Sequence, residues 1–230
     1  MNRIVTAALS AVMCVAASAS PTDNLTVSSP DGLTVVTVSV VDGVPTYSVA
    51  HNGEKFIMDS PLGVNTNVGD FTGSMSLMEA SADRKVSDSY SLPNIKKSHV
   101  EYRANSRDYT FGRDGKKVYD VIFEVSDNNV AFRYKLYPQG ERLSCLVQNE
   151  ATGFVMPDCA TTFLCPQSKP MGGFARTSPS YETGYTMDDA TGKNGWGEGY
   201  TFPCLFRNGD KGWTLISETG IAGEYCASRL

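Results

Sequence analysis

Between Pro166 and Tyr200 the chain gathers the side chains best suited to meet a ligand. These are the carboxylates Glu182, Asp188, Asp189 and Glu198 and the aromatics Tyr181, Tyr185, Trp196 and Tyr200. Carboxylate oxygens suit a hard cation such as calcium. A flat aromatic ring, apolar with an electronegative face, suits the C–H face of a pyranose. The carboxylate spacing matches no EF-hand, and the plainer reading is a set of solvated loop acids. Two roles stay open for the aromatics: sugar stacking, or packing at a domain interface or in a small core. Glu218 and Glu224, on either side of the last strand-like run, read as solvated in the same way.

Other chemistries find little support. The sequence has no G-x-S-x-G elbow, and its two histidines, His51 and His99, fall in or near strand segments, which argues against Ser-His-Asp catalysis. It also lacks a P-loop, a dinucleotide fingerprint and an H-E-x-x-H helix. A net charge of −5 does not suit a nucleic-acid partner, which needs a basic stripe to neutralise phosphates.

The elements that must position the loop residues are strands. Leu33–Val40 is rich in β-branched residues, and Asp42-Gly43 follows it. Tyr47–His51 alternates with period two, and Asn52-Gly53 then leads into Lys55–Met58. Two X-Gly turns between alternating runs predict a meander of hairpins. Further on, Tyr119, Val121, Phe123 and Val125 share one strand face, and Ser126–Asn129 is turn chemistry. Val130, Phe132, Tyr134 and Leu136 share a face of the next strand, opposite Arg133 and Lys135. A last hairpin is predicted from Thr201–Phe206, the turn Asn208–Gly212 and Trp213–Ser217, with Pro203 confining its strand to an edge or a bulge. No long apolar run has a 3.6-residue period, so the fold class is all-β, an antiparallel sandwich with little helix. Residues 166–200 break the pattern and read as one long irregular, functional loop.

Residues 1–19 read as a secretory signal peptide: Arg3, the uncharged apolar run Ile4–Ala17, then the small-x-small site Ala17-Ser18-Ala19. Met13 before Cys14 does not fit a lipoprotein site, so the expected destination is the periplasm or beyond. No later stretch is apolar enough for a membrane helix. Five cysteines remain: Cys145, Cys159, Cys165, Cys204 and Cys226. No C-x-x-C pair is present to suggest zinc. Buried small hydrophobes are the plain reading, with a Cys159–Cys165 disulfide as one alternative.

Several stretches together resemble the N-terminal domain of glycoside hydrolase family 97, the bacterial exo-acting α-glucosidases and α-galactosidases. They are Ser29-Pro30-Asp31-Gly32, Pro45-Thr46-Tyr47, Asn52-Gly53, Ser60-Pro61-Leu62-Gly63, Asn129–Tyr134, Glu198–Pro203, Gly212–Gly220 and Tyr225–Leu230. The resemblance implies a galactose-mutarotase-like β-super-sandwich over residues 20–230. It also implies that the domain's last strands and a (β/α)8 catalytic barrel follow, and that the barrel carries the carboxylate pair glycoside hydrolysis needs. Alone, the chain is expected to hydrolyse nothing. Within the enzyme the domain would pack on the barrel, shape a pocket for an α-linked oligosaccharide and supply one ligand to a calcium ion. By its place in Ser180–Tyr185, that ligand is Glu182, with Tyr181 and Trp196 as the candidate sugar-binding residues. The alternative is a stand-alone carbohydrate-binding sandwich without hydrolase activity.

Overall fold

The computed structural model describes residues 25–141, 144–167, 185–193, 199–220 and 228–230. Among them there is no helix, and the strands form antiparallel sheets, the all-β sandwich expected from the alternation. β1 (Thr26–Ser28), β2 (Thr34–Val41), β3 (Val44–His51) and β4 (Glu54–Pro61) make a four-stranded meander. β5 (Val64–Thr66) and β6 (Gly69–Asp70) follow as a short hairpin. β7 (Ser76–Ala80), β8 (Arg84–Ser91), β9 (His99–Arg113), β10 (Lys116–Ser126) and β11 (Asn129–Leu136) make the largest sheet, in the order β11-β10-β9-β7 with β8 also paired to β9. β12 (Val147–Glu150) joins β5. β13 (Ala160–Phe163), β14 (Asp189–Ala190), β15 (Cys204–Asn208) and β16 (Trp213–Ile216) form a last sheet in the order β14-β13-β15-β16.

The turns carry out what their sequences require. Asp42 and Gly43 have φ of 50° and 78°, and Asn52 and Gly53 have φ of 50° and 81°. Two successive positive φ values are the signature of the type I′ hairpin, whose twist matches that of the strands it joins. The passage from β9 to β10 uses the same device at Asp114-Gly115.

The core lies between the meander and the largest sheet. Tyr119, Val121, Phe123 and Val125, four alternate residues of β10, are fully buried, as are Val36 and Val38 of β2. Tyr47 of β3 brings its ring within 5.7 Å of Phe123 across the sandwich. The alternation of β11 holds as well, with Phe132 5.3 Å from Phe123 and Tyr134 5.4 Å from Tyr119. Tyr134 does more than pack. Its hydroxyl accepts the Gly63 N–H at 2.9 Å and bonds Thr152 Oγ1 at 2.9 Å, which ties two loops to the sheet.

Two expectations need correction. Pro203 does not confine its strand to an edge: β15 begins one residue later, at Cys204, and lies between β13 and β16. Placed before the strand, the missing proline N–H removes no ladder bond. Nor is 166–200 irregular throughout, because Asp189 and Ala190 pair with Thr162 and Thr161 and extend the last sheet by one short strand.

Candidate functional site

The sheet β14-β13-β15-β16 borders the stretch singled out in the sequence. Its inner face rests on a second core of Leu164, Cys204, Phe206 and Ile216, packed against Phe154, Met156, Tyr200 and Phe202. At the end of β13 the chain passes through Leu164 and Cys165 to Gln167. There the Gln167 N–H donates to Gly199 O at 2.8 Å, and Pro166 bridges to Tyr200. The Thr186 N–H donates to Leu164 O at 2.9 Å, so the chain rejoins the sheet beside its point of departure. Tyr200 donates its hydroxyl to Lys193 O at 2.9 Å and exchanges backbone bonds with Leu230. Gln167, Thr186 and Gly199 are therefore gathered at one end of one small sheet, while β14 leaves β13 at Thr161.

Tyr181, Glu182 and Trp196 lie outside the described residues, as do Glu198, Glu224 and Cys226. The remaining candidates divide. Tyr185 is exposed, whereas Tyr200 belongs to the second core. Asp188, at φ 57°, accepts a bond from Thr161 Oγ1 at 2.6 Å and pairs with Arg207 at 2.6 Å. Asp189 pairs with Lys193 at 2.7 Å. Glu218 accepts the Ser228 N–H at 3.0 Å on both oxygens. These carboxylates are engaged with local donors. Among the described residues no group of three or more His, Cys, Asp or Glu could hold a metal ion.

Neither histidine makes a catalytic triad with the described residues. His51 Nδ1 lies 2.9 Å from Thr34 Oγ1, a cross-strand contact between β2 and β3. His99 Nδ1 lies 3.2 Å from Ser91 Oγ at the exposed end of the β8–β9 hairpin, and no carboxylate of the described residues hydrogen-bonds its ring. The Cys159–Cys165 bridge does not form. Cys159 is exposed before β13 and Cys165 is buried beyond its far end. Six extended residues span roughly 20 Å, against a limit of about 7 Å between the Cα atoms of a disulfide.

Burial pushes the Cys204 thiol up to about 12, and the neighbouring Cys165 adds to the shift. Burial disfavours the thiolate, so at pH 8 roughly one thiol in ten thousand is ionised, and Cys204 is no nucleophile. Iodoacetamide at pH 8 is accordingly expected to label exposed Cys159 in the native protein and to leave Cys204 unlabelled until denaturant is added. Peptide mass spectrometry reads the outcome, and equal native labelling of the two would contradict the buried setting.

The sequence reading missed the outward face of this sheet. Arg207 stands between Thr161 and Trp213 in one cross-strand row, and Leu205 between Phe163 and Leu215 in the next. A signal was present: β16 places apolar residues at both Leu215 and Ile216, on opposite faces, the pattern of a strand covered on both sides.

A family model described as "Glycosyl-hydrolase 97 N-terminal" matches residues 27–230. A solved structure described as "Crystal structure of beta-arabinopyranosidase" is 47% identical, with a TM-score of 0.82 over 89% of this chain and 33% of its own. A glycoside hydrolase family 97 enzyme from Pseudoalteromonas sp. strain K8, solved in complex with panose, is 22% identical, with a TM-score of 0.66 over 80% of this chain and 27% of its own. At that identity the likeness speaks for the fold alone. A protein named "Probable retaining alpha-galactosidase" from Streptomyces bingchenggensis (strain BCW-1) is 29% identical over 189 residues, 82% of this chain and 27% of that protein. The chain thus spans between 27% and 33% of the length of these relatives.

Proposed function

The chain belongs to the glycosyl-hydrolase 97 N-terminal family, and on that premise we propose that it is the non-catalytic N-terminal domain of a secreted or periplasmic α-glycosidase, packing on a catalytic barrel and bordering its sugar pocket. The observation that supports this reading is the gathering of Gln167, Thr186 and Gly199 at one end of the last sheet. Gln167 and Gly199 adjoin in the sequence the stretches that bear Tyr181, Glu182 and Trp196, the stretches this reading assigns to the pocket. Chemistry is left to the neighbour, because glycoside hydrolysis needs two placed carboxyl groups and the candidate acids Asp188 and Asp189 are paired with Arg207 and Lys193.

The substrate class we favour is galacto-configured. The relatives at 47% and 29% identity are named for β-arabinopyranoside and α-galactoside. In the L series, a β-arabinopyranoside has the ring stereochemistry of an α-D-galactopyranoside and lacks only the hydroxymethyl group. Calcium enters the proposal through Glu182 alone. The ion takes about six to eight oxygen ligands, and the described acids of this chain do not assemble such a shell. This chain would supply one donor, and the neighbouring domain and water the rest.

A hybrid tests the reading, with this chain replacing the matching third of the 47%-identical β-arabinopyranosidase. The hybrid is expected to hydrolyse p-nitrophenyl β-L-arabinopyranoside. The 230-residue chain alone is expected to be inert, and to give no calorimetric heat with melibiose. Heat with melibiose would instead favour a stand-alone sugar-binding module. In the hybrid, Glu182→Gln is expected to raise the calcium concentration for half-maximal thermal stabilisation about tenfold or more. An unchanged calcium requirement would remove Glu182 from the ligand set.

A further inference from the structure

A sheet with one face on a core normally turns polar residues outward. The sheet β14-β13-β15-β16 does not. Its inward face is occupied by the second core, yet its outward positions hold Phe163, Leu205, Trp213 and Leu215. Trp213 is 54% exposed and Leu215 63% exposed. The rings of Phe163 and Trp213 lie 5.3 Å apart, so the patch is continuous across the sheet. Asp188, Thr161 and Arg207 border it with a hydrogen-bonded ion pair, an apolar centre with a polar rim. β16 is also the last strand of the sheet on this side, with an open edge among the described residues. Contiguous apolar surface of this kind marks an interaction site.

We infer that the Phe163–Leu205–Trp213–Leu215 face is the surface on which the catalytic domain docks. The inference rests on the proposed function and names the contact that reading requires. Two observations choose this occupant. First, the match covers only 33% of the most identical solved chain described above and 27% of the other two relatives, so most of each relative's length is available to cover the face. Second, the Phe163–Leu205–Leu215 row lies at the end of β13 that leads to Gln167, where the Gln167 N–H bonds Gly199 O and the Thr186 N–H bonds Leu164 O. A domain seated on this row sits beside Gln167, Thr186 and Gly199, the end of the sheet that the proposed function assigns to the sugar pocket.

The test uses the 230-residue chain and the hybrid, each with the double substitution Trp213→Ser and Leu215→Ser. In the chain alone both residues are half or more exposed, so the melting temperature is expected to move by no more than about 2 °C. In the hybrid the same pair is expected to split one cooperative transition into two and to lower β-arabinopyranosidase activity at least tenfold. Leu92→Ser with Ile95→Ser, two exposed apolar residues beyond the end of β8, is the control and is expected to leave both readouts unchanged. A doubly substituted hybrid that melts and turns over like the unsubstituted one would overturn the docking assignment while leaving the proposed function standing. An unsubstituted hybrid that is inactive would count against the proposed function itself. A chain that dimerises alone in light scattering, and becomes monomeric with the double substitution, would assign the face to a second copy and overturn the inference.

Discussion

Replacing Phe123 with alanine is expected to destabilise this domain by about 3–5 kcal/mol. Phe123 is fully buried at the middle of β10. Its ring lies 5.7 Å from Tyr47 of the opposite sheet, 6.0 Å from Tyr109 on β9 and 5.3 Å from Phe132 on β11. The substitution removes the transfer free energy of a benzyl group and leaves a cavity bounded by two sheets. Backbone hydrogen bonds hold those sheets in register, so they cannot collapse to fill it. Three aromatic contacts are lost with it, each worth about 0.5–1.5 kcal/mol beyond buried area. Urea unfolding followed by far-ultraviolet circular dichroism measures the effect as a lower midpoint with an unchanged slope. Leu146→Ala, at an exposed position, is expected to stay within about 0.5 kcal/mol. A loss below about 1 kcal/mol for Phe123→Ala would show that the two sheets do not share this core.

Asp120→Ala is expected to destabilise by about 2–3 kcal/mol, since hydrogen bonds to a charged group are worth about 1.5–3 kcal/mol. Asp120 stands on the outward face of β10, directly between Thr110 of β9 and Lys135 of β11. Its side chain is nonetheless only 5% exposed. Thr110 Oγ1 donates to it at 2.7 Å and the Tyr137 hydroxyl at 2.8 Å, with Lys135 Nζ 3.6 Å away. Without the carboxylate, the buried Thr110 hydroxyl loses its acceptor, whereas Lys135 can turn to water. Tyr137 supplies a second readout. Its donated bond to Asp120 is the largest cause holding its phenol above the usual value of 10.0. A raised folded value means the protonated phenol is the form the fold favours. This contribution is present below about pH 10 and is lost as pH rises through the folded value. In Asp120→Ala the Tyr137 phenol is expected to ionise at lower pH, visible in the alkaline titration of phenolate absorbance. Unchanged stability together with an unchanged phenol titration would dismiss the network.

Much of this architecture was legible in the chain because its causes are local. The period-two alternation of Tyr119–Val125 and Val130–Leu136 could serve only a half-buried strand. Asp42-Gly43 and Asn52-Gly53 tolerate the positive φ that type I′ turns need, and both turns lie where the pattern placed them. The reading of β15 went astray because proline was weighed by its presence in a run, while its effect depends on whether its position would donate to a neighbour. The short β14 was illegible for a related reason: two residues, Asp189 and Ala190, carry no periodicity, and only their pairing with β13 makes them a strand.

What the sequence determined by itself is the class of fold, the strand pairs joined by tight turns and the family, because each rests on side-chain alternation, turn chemistry and short ordered motifs written into neighbouring residues. Tertiary structure alone decided that Asp188 and Asp189 belong to Arg207 and Lys193, that Cys159 and Cys165 lie too far apart to bridge, and that Phe163, Leu205, Trp213 and Leu215 form one outward apolar face. The physical reason is that these relations depend on how strands are laid out and paired. Partners are chosen by which strands meet and in what register, a choice made by burial of the whole core and not by any single segment.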